Sequence, residues 1–263
     1  MKGLRFGLLS IKKNFQNAKE LKSAFITSIF GMILSNGSFI FLWFNFGLIV
    51  GNINGWGKYD IIGLYGFTMT SYGLVCSFLY GIINLPKYIS SGNFDKYLLT
   101  PKNILLKVST SAISTSAIGD LLFGIICVIS YIFLNNLDLL HILSYILLLF
   151  VSSIVFFSFA TICMSLSFYF MEGENISNGL MQLFITPSLY HGGAFNKVLK
   201  IIFVFVIPAL MFGSIPIEII NDITLLKLIG AIVFAIIWFI MAILFFYKSL
   251  KKYESNNFFG FSG

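Results

Sequence analysis

Long apolar runs, each closed by cations or turn formers, set the rhythm of this chain. One charge-free stretch runs from Lys22 to Lys58, with an apolar body over 24–50, and a second from Asp60 to Lys87, with its body over 61–83. Further bodies occupy 109–134, 142–170 and 228–247. Each meets the roughly 20 residues that a helix needs to cross a bilayer. The interval 176–220 reads differently. Pro187, Pro208, Pro216 and the pair Gly192-Gly193 cut it into uneven pieces, because neither residue type sustains a helix interior.

Composition makes lipid the solvent for these runs. Of 263 residues, 58% are hydrophobic and 10% charged, with a mean hydropathy of +0.93. A soluble domain carries roughly 25% charged residues. The net charge of +7 does not point to nucleic acid, since Lys and Arg gather at the ends of apolar runs, where they orient a membrane protein. Six cations precede the first run, four lie in 84–108 (Lys87, Lys96, Lys102, Lys107) and three in the tail (Lys248, Lys251, Lys252). Lys58, Lys197, Lys200 and Lys227 fall in the alternate loops. Thirteen against four puts both termini and the 84–108 segment on the cytoplasmic side.

Two cytoplasmic termini require an even number of crossings, so 176–220 crosses once. The expected crossing is 176–190, followed by a broken apolar hairpin over 195–220 that enters and leaves on the outer side. Such backbone survives at membrane depth only when packed on protein. A seven-span alternative would strand Lys248, Lys251 and Lys252 outside. The expected fold is an all-α integral membrane protein, one transmembrane domain over 1–263 with six transmembrane helices. An amphipathic interfacial helix fills 1–23, a cytoplasmic loop 84–108, and a re-entrant outer hairpin 191–222 before the last span. In the first segment Leu4, Leu8, Leu9, Ile11 and Phe15 share one helical side, with Lys2, Arg5, Lys12, Lys13, Lys19 and Lys22 around it, as suits a lipid surface. No small-x-small site closes its short apolar patch, so a cleaved signal peptide is not expected.

Little in the chain predicts chemistry. Asp120 is the one formal charge inside an expected span, and burying it is costly enough to make it a functional candidate. It lies a third of the way along its span, where pairing with a neighbouring Lys would make it an anchor. Asn36, Asn45 and Gln182 are expected to bond between helices. Cys76, Cys127 and Cys163 stand singly in apolar runs and read as small core residues. Glu172 and Glu174 make one inner loop acidic. No P-loop and no HExxH occurs, and His141 and His191 fall in separate expected outer loops. No catalytic set, cofactor site or metal site is predicted.

The 84–108 segment is the polar exception. Within YISSGNFDKYLLTP, Ile89, Phe94, Tyr97 and Leu98 are expected to form an apolar ridge, flanked by Asp95, Lys96 and Lys102. Ser90 or Ser91 would cap a short helix and Pro101 would end it. Such a helix, lying along the membrane, can enter a groove on a cytoplasmic partner.

The run I-x-S-G-x-x-D-x-x-L-L-x-P-x-N, from Ile89 to Asn103, resembles the first inner loop of permease subunits of type-two ATP-binding-cassette exporters, in the bacterial six-span branch. FVIPALMFGSIPIEII, with Pro208 and Pro216, and the tail KSLKKYESNNFFG resemble two further stretches of that family. Asn93 stands where the family usually has Glu, and Thr100 where it has Arg; the family's aromatic-basic pair before the first span is not evident. The resemblance implies a bacterial plasma-membrane permease that pairs with a second copy or a sister permease and docks cytoplasmic ATPase subunits. These subunits would hold ATP and Mg. It implies a coupling helix to which Gly92, Asp95, Leu98, Leu99 and Pro101 belong by pattern, and Ile89, Phe94, Lys96 and Tyr97 by position. Two other readings compete: an ion-gradient transporter or channel using Asp120, and a non-transporting accessory membrane protein.

Overall fold

The computed structural model describes residues 2–50, 57–170 and 173–253. Among them the chain is helical, without strands. Helix α1 covers Lys2–Glu20, α2 Lys22–Val50, and α3 Lys58–Leu79, which runs into a 3-10 turn at Tyr80–Ile82. Three short helices follow: α4 (Leu85–Ser90), α5 (Asp95–Leu98) and α6 (Ile104–Ser109). Then come α7 (Thr115–Leu134), α8 (Leu139–Ser165) and α9 (Gly173–Ser188). The broken region holds α10 (Lys197–Ile201), a π turn (Ile202–Val206), α11 (Ala209–Phe212) and α12 (Ser214–Asn221), before α13 (Leu225–Leu250).

Among the described residues, five segments are long and apolar enough to cross a membrane: Lys22–Asn45, Tyr59–Ser90, Thr115–Leu134, Leu139–Phe168 and Leu225–Leu250. They match the five apolar bodies of the sequence. Their ends moved where a cap outranks hydropathy. Asp138 accepts a hydrogen bond from the His141 amide at 3.0 Å, so α8 starts earlier than expected and takes His141 into its first turn. The expected crossing at 176–190 is not among the five. In its place stands α9, only 16 residues long, about 24 Å at 1.5 Å per residue, against a hydrocarbon core of roughly 30 Å.

The tightest helix pair is α3 with α7. A Cβ on Gly73 would sit 2.6 Å from the Leu121 backbone, and one on Gly124 2.5 Å from the Thr70 amide nitrogen. Small residues let two backbones meet in this way where apolar burial drives nothing, since lipid tails are as apolar as the core. Helix α13 lies on α8 through buried Ala231, Ala235 and Ala242. The largest core cluster joins α8, α9 and α11, with Phe159 stacked 4.8 Å from Phe184 and Phe212 at 5.2 Å from Phe184.

Helix α1 turns a narrow face to the bundle. Ser10 Oγ and Asn14 Nδ2 donate to the Thr110 carbonyl at 2.7 and 3.0 Å, and Phe15 meets Phe78 at 5.9 Å. Leu8 and Leu9 point away from the protein. The apolar side expected of 1–23 is thus divided, half toward α6 and α3 and half outward; the Lys2 and Leu4 side chains lie outside the described residues.

The region 191–222 divides too. Pro208, Ala209, Leu210, Met211, Phe212, Pro216, Ile217 and Ile220 are buried against the bundle. Val198, Ile201, Phe205 and Val206 are exposed. Packing on protein, expected of the whole piece, holds throughout its second half and only in part, through Phe203 and Val204, in its first.

Candidate functional site

The polar segment after α3 is built on backbone hydrogen bonds and one buried cation. Pro86 sits in the first turn of α4, where its missing N–H costs nothing. Ser90 and Ser91 hydroxyls donate back to the Lys87 carbonyl at 3.2 and 2.7 Å. They close α4 and do not cap the following helix, contrary to expectation: the turn between the two helices carries them away from the α5 amides. That turn needs Gly92, whose φ of +70° lies in the left-handed region that side chains disfavour.

Beyond Gly92 the expected ridge splits. Phe94 is fully buried and Tyr97 nearly so. Phe94 lies 5.3 Å from Phe168, in the 3-10 turn that follows α8, and 4.9 Å from Tyr253 in the tail, ring to ring. Tyr97 packs on Tyr88 at 5.5 Å, and Ile89 joins the same core at its edge. An external groove therefore cannot receive Phe94 or Tyr97. Leu98 and Leu99 point the other way, Leu99 with 82% of its surface exposed. Thr100, Pro101 and Lys102 continue this outward lip. Lys96 Nζ lies over the Tyr88 and Tyr97 rings at 5.4 and 5.1 Å, and Lys102 Nζ over Phe6 at 4.0 Å, as cations do over aromatic faces.

Two anchors hold the lip. From α6, the buried Lys107 donates to the carbonyls of Tyr97 and Thr100 and to Thr100 Oγ1, the last two at 3.0 and 2.8 Å. An ammonium is well placed there, because the last carbonyls of a helix lack partners and carry partial negative charge. Burial, helped by the charge of Lys102, lowers the Lys107 pKa below its ordinary value. From the tail, the Tyr253 hydroxyl donates to Asp95 Oδ1 at 2.7 Å. Asn103 caps α6 through the Leu106 amide at 2.9 Å. Sequence reasoning counted Lys107 only as an orienting charge, and nothing local to either residue links Tyr253 to Asp95.

A second candidate lies within the helices. Asp120 is buried and pairs with no Lys among the described residues. Its Oδ1 accepts from Asn36 Nδ2 at 2.6 Å, and Asn36 Oδ1 accepts from the Tyr65 hydroxyl at 2.9 Å. This three-residue knot ties α7, α2 and α3. Asn36 thus bonds between helices as expected, while Asn45 bonds within its own helix to Phe41 and Gln182 is exposed. Glu174 opens α9; Glu172 lies outside the described residues. His141 pairs with Asp138, and His191 faces Glu218 at 3.8 Å.

A family model described as ABC-2 family transporter protein matches residues 32–257. No curated protein and no solved structure matches the chain. The match runs from inside α2 to beyond α13, over helices long and apolar enough to cross a bilayer. The chain therefore belongs to the ABC-2 transporter family, as a multi-pass membrane permease.

Proposed function

We propose that this permease is the transmembrane subunit of an ATP-driven exporter in a bacterial plasma membrane, and that its lip at Leu98–Pro101 seats in a cytoplasmic ATPase subunit. The observation that carries this reading is the exposed Leu98-Leu99 pair on a segment whose other large apolar side chains are buried or half-buried. A solvent-facing Leu pair on a segment that also carries the exposed Lys87, Lys96 and Lys102 fits a groove with an apolar floor and an acidic rim. ATP and Mg belong to that partner. Closure of two such subunits pushes on the lip, and the push enters α3 through α4 and α7 through α6.

The two helices that flank the lip are those joined by the glycine seam. A load on the lip therefore moves them as one body. The substrate pathway forms where this body meets a second copy or a sister permease. The short α9 supplies the sixth crossing, and the buried half of the 191–222 region caps the pathway on the outer side. The thirteen-to-four distribution of cations supports two cytoplasmic termini.

Co-purification with the ATPase tests the docking. Leu98→Asp with Leu99→Asp releases the ATPase while the permease keeps its detergent-extracted fold. An ATPase that stays bound to this variant refutes the lip as the docking site.

The Asp120 knot supports anchoring of α2 over ion coupling. Its carboxylate is engaged by Asn36, and α2 is otherwise largely lipid-facing. Asp120→Asn keeps ATP-driven transport in reconstituted vesicles; transport that is driven by an ion gradient and abolished in this variant would favour the gradient-driven class.

A further inference from the structure

Helix α13 runs unbroken from Leu225 to Leu250 without proline, so it behaves as one stiff rod. Its end does not fray at once. The Lys251, Lys252 and Tyr253 amides donate back to Lys248, Ser249 and Leu250 at 3.3, 2.9 and 3.2 Å, carrying the turn on to Tyr253. There the ring sits edge-on to Phe94 at 4.9 Å and to Phe168 at 6.0 Å. The hydroxyl reaches Asp95 at 2.7 Å across 158 residues of sequence. Asp95 is the first residue of the single turn that ends in Leu98.

We propose that Tyr253 is a positioning residue: through Asp95 it fixes the angle of the Leu98–Leu99 lip to the inner end of α13. The proposal rests on the reading that the lip meets the ATPase. With Lys107 it gives the lip two mounts on different helices. Lys107 leads through α6 to α7, and Tyr253 leads to α13, which shares its main contact with α8. A displaced lip thus loads both halves of the bundle together. Burial, and after it the bond to Asp95, raises the Tyr253 hydroxyl pKa, so it remains a donor throughout the neutral range.

The first arm of the test needs no ATPase. Permease in lipid nanodiscs is followed by hydrogen exchange over 95–101 and by a spin label at Leu99→Cys. The native cysteines are buried and leave the label specific. Tyr253→Phe keeps the ring and loses the donor; exchange over 95–101 rises about tenfold, the scale of one charge-assisted hydrogen bond. Asp95→Ala does the same. Asp95→Asn, which still offers an acceptor, stays within about threefold. Exchange at the wild-type rate in Tyr253→Phe overturns the proposal.

The second arm uses the assembled complex with a non-hydrolysable ATP analogue and a label at Leu226→Cys, an exposed position at the far end of α13. Tyr253→Phe retains the ATPase but loses at least half of the nucleotide-dependent signal at that label. A full signal overturns the proposal even if the lip has loosened. Should the wild-type permease bind no ATPase, the docking reading falls, and the first arm alone decides the Tyr253–Asp95 mount.

Discussion

The segments 84–109 and 191–222 both break an apolar chain into short helices near prolines, yet they are held together by opposite means. The first is fixed by polar bonds: Lys107 to three oxygens, Tyr253 to Asp95, Asn103 to an amide. Its apolar residues fill an aromatic cluster and leave Leu98 and Leu99 outside. The second is fixed mainly by apolar packing of 208–220, with two polar clusters beside it. At one, Asn221 Nδ2 donates to Asp60 at 3.2 Å and the Tyr131 hydroxyl lies 3.0 Å from Asn221. At the other, Ser214 donates to Glu218 at 2.9 Å and accepts from the Gly192 amide at 2.8 Å. Polar bonds are directional, so the inner segment presents a lip at a set angle. Dispersion is not, so the outer segment can keep its packed half while 198–206 moves.

The largest effects should come from the packed outer half. Phe212 touches Phe156 and Phe184 at 5.3 and 5.2 Å, so Phe212→Ala opens a cavity worth about 3 kcal/mol or more. Phe205→Ala, at a side chain 65% exposed, costs less than about 0.5 kcal/mol. Thermal unfolding in detergent separates the two. Similar losses in both variants would mean that the edge contact of Phe205 with Phe234 holds 198–206 as firmly as the core holds Phe212, and the contrast between the halves would fail.

Next comes Lys107→Met, which keeps the stem and removes the ammonium. The Tyr97 carbonyl is then left buried without its donor, whereas Thr100 is exposed enough to find water. A loss of about 2 kcal/mol follows, read as proteolytic cleavage within 91–102 that the wild type resists. An unchanged cleavage pattern would show that aromatic packing alone holds the inner segment. The lip itself carries no stability: Leu99→Asp changes unfolding by less than about 0.5 kcal/mol and acts only on ATPase binding.

Which of these features the sequence announces depends on the range of the interaction. Lipid imposes length and apolarity on a spanning helix, so five of them are readable from runs alone. Caps such as Asp138 act over only three residues, yet hydropathy alone placed the start of α8 at 142 and passed over this one. Asn36 with Asp120, 84 residues apart, and Tyr253 with Asp95 leave no local periodicity, so their pairing appears only once the helices are placed. Phe94 and Leu98 look alike in a helical wheel, and only the tail and α8 decide which of them faces inward. The glycines at 73 and 124 were visible as residues, but their use as a seam depends on the register of α3 against α7.

The smallest expected effect lies at the outer polar point and depends on pH. His191 Nδ1 accepts the Gly193 amide at 3.2 Å, so adding a proton there removes the acceptor. Burial lowers the His191 pKa from its ordinary value; Glu218 partly offsets this, Lys200 adds to the lowering, and Asp60 opposes it. A depressed histidine favours the neutral form in the folded state. The stability it lends is therefore fully present above the unfolded value of about 6.5 and is lost as pH falls through the folded value. Acidification should loosen the turn at 191–195 before it touches the inner segment, where Lys107 and Tyr253 remain protonated donors. Hydrogen exchange over 191–206, compared between about pH 5 and 8, should rise on the acid side. His191→Asn keeps an oxygen acceptor for the turn without titrating, so its exchange should lose the pH dependence. An acid response that persists in this variant would take the titration away from His191 and leave it a plain cap.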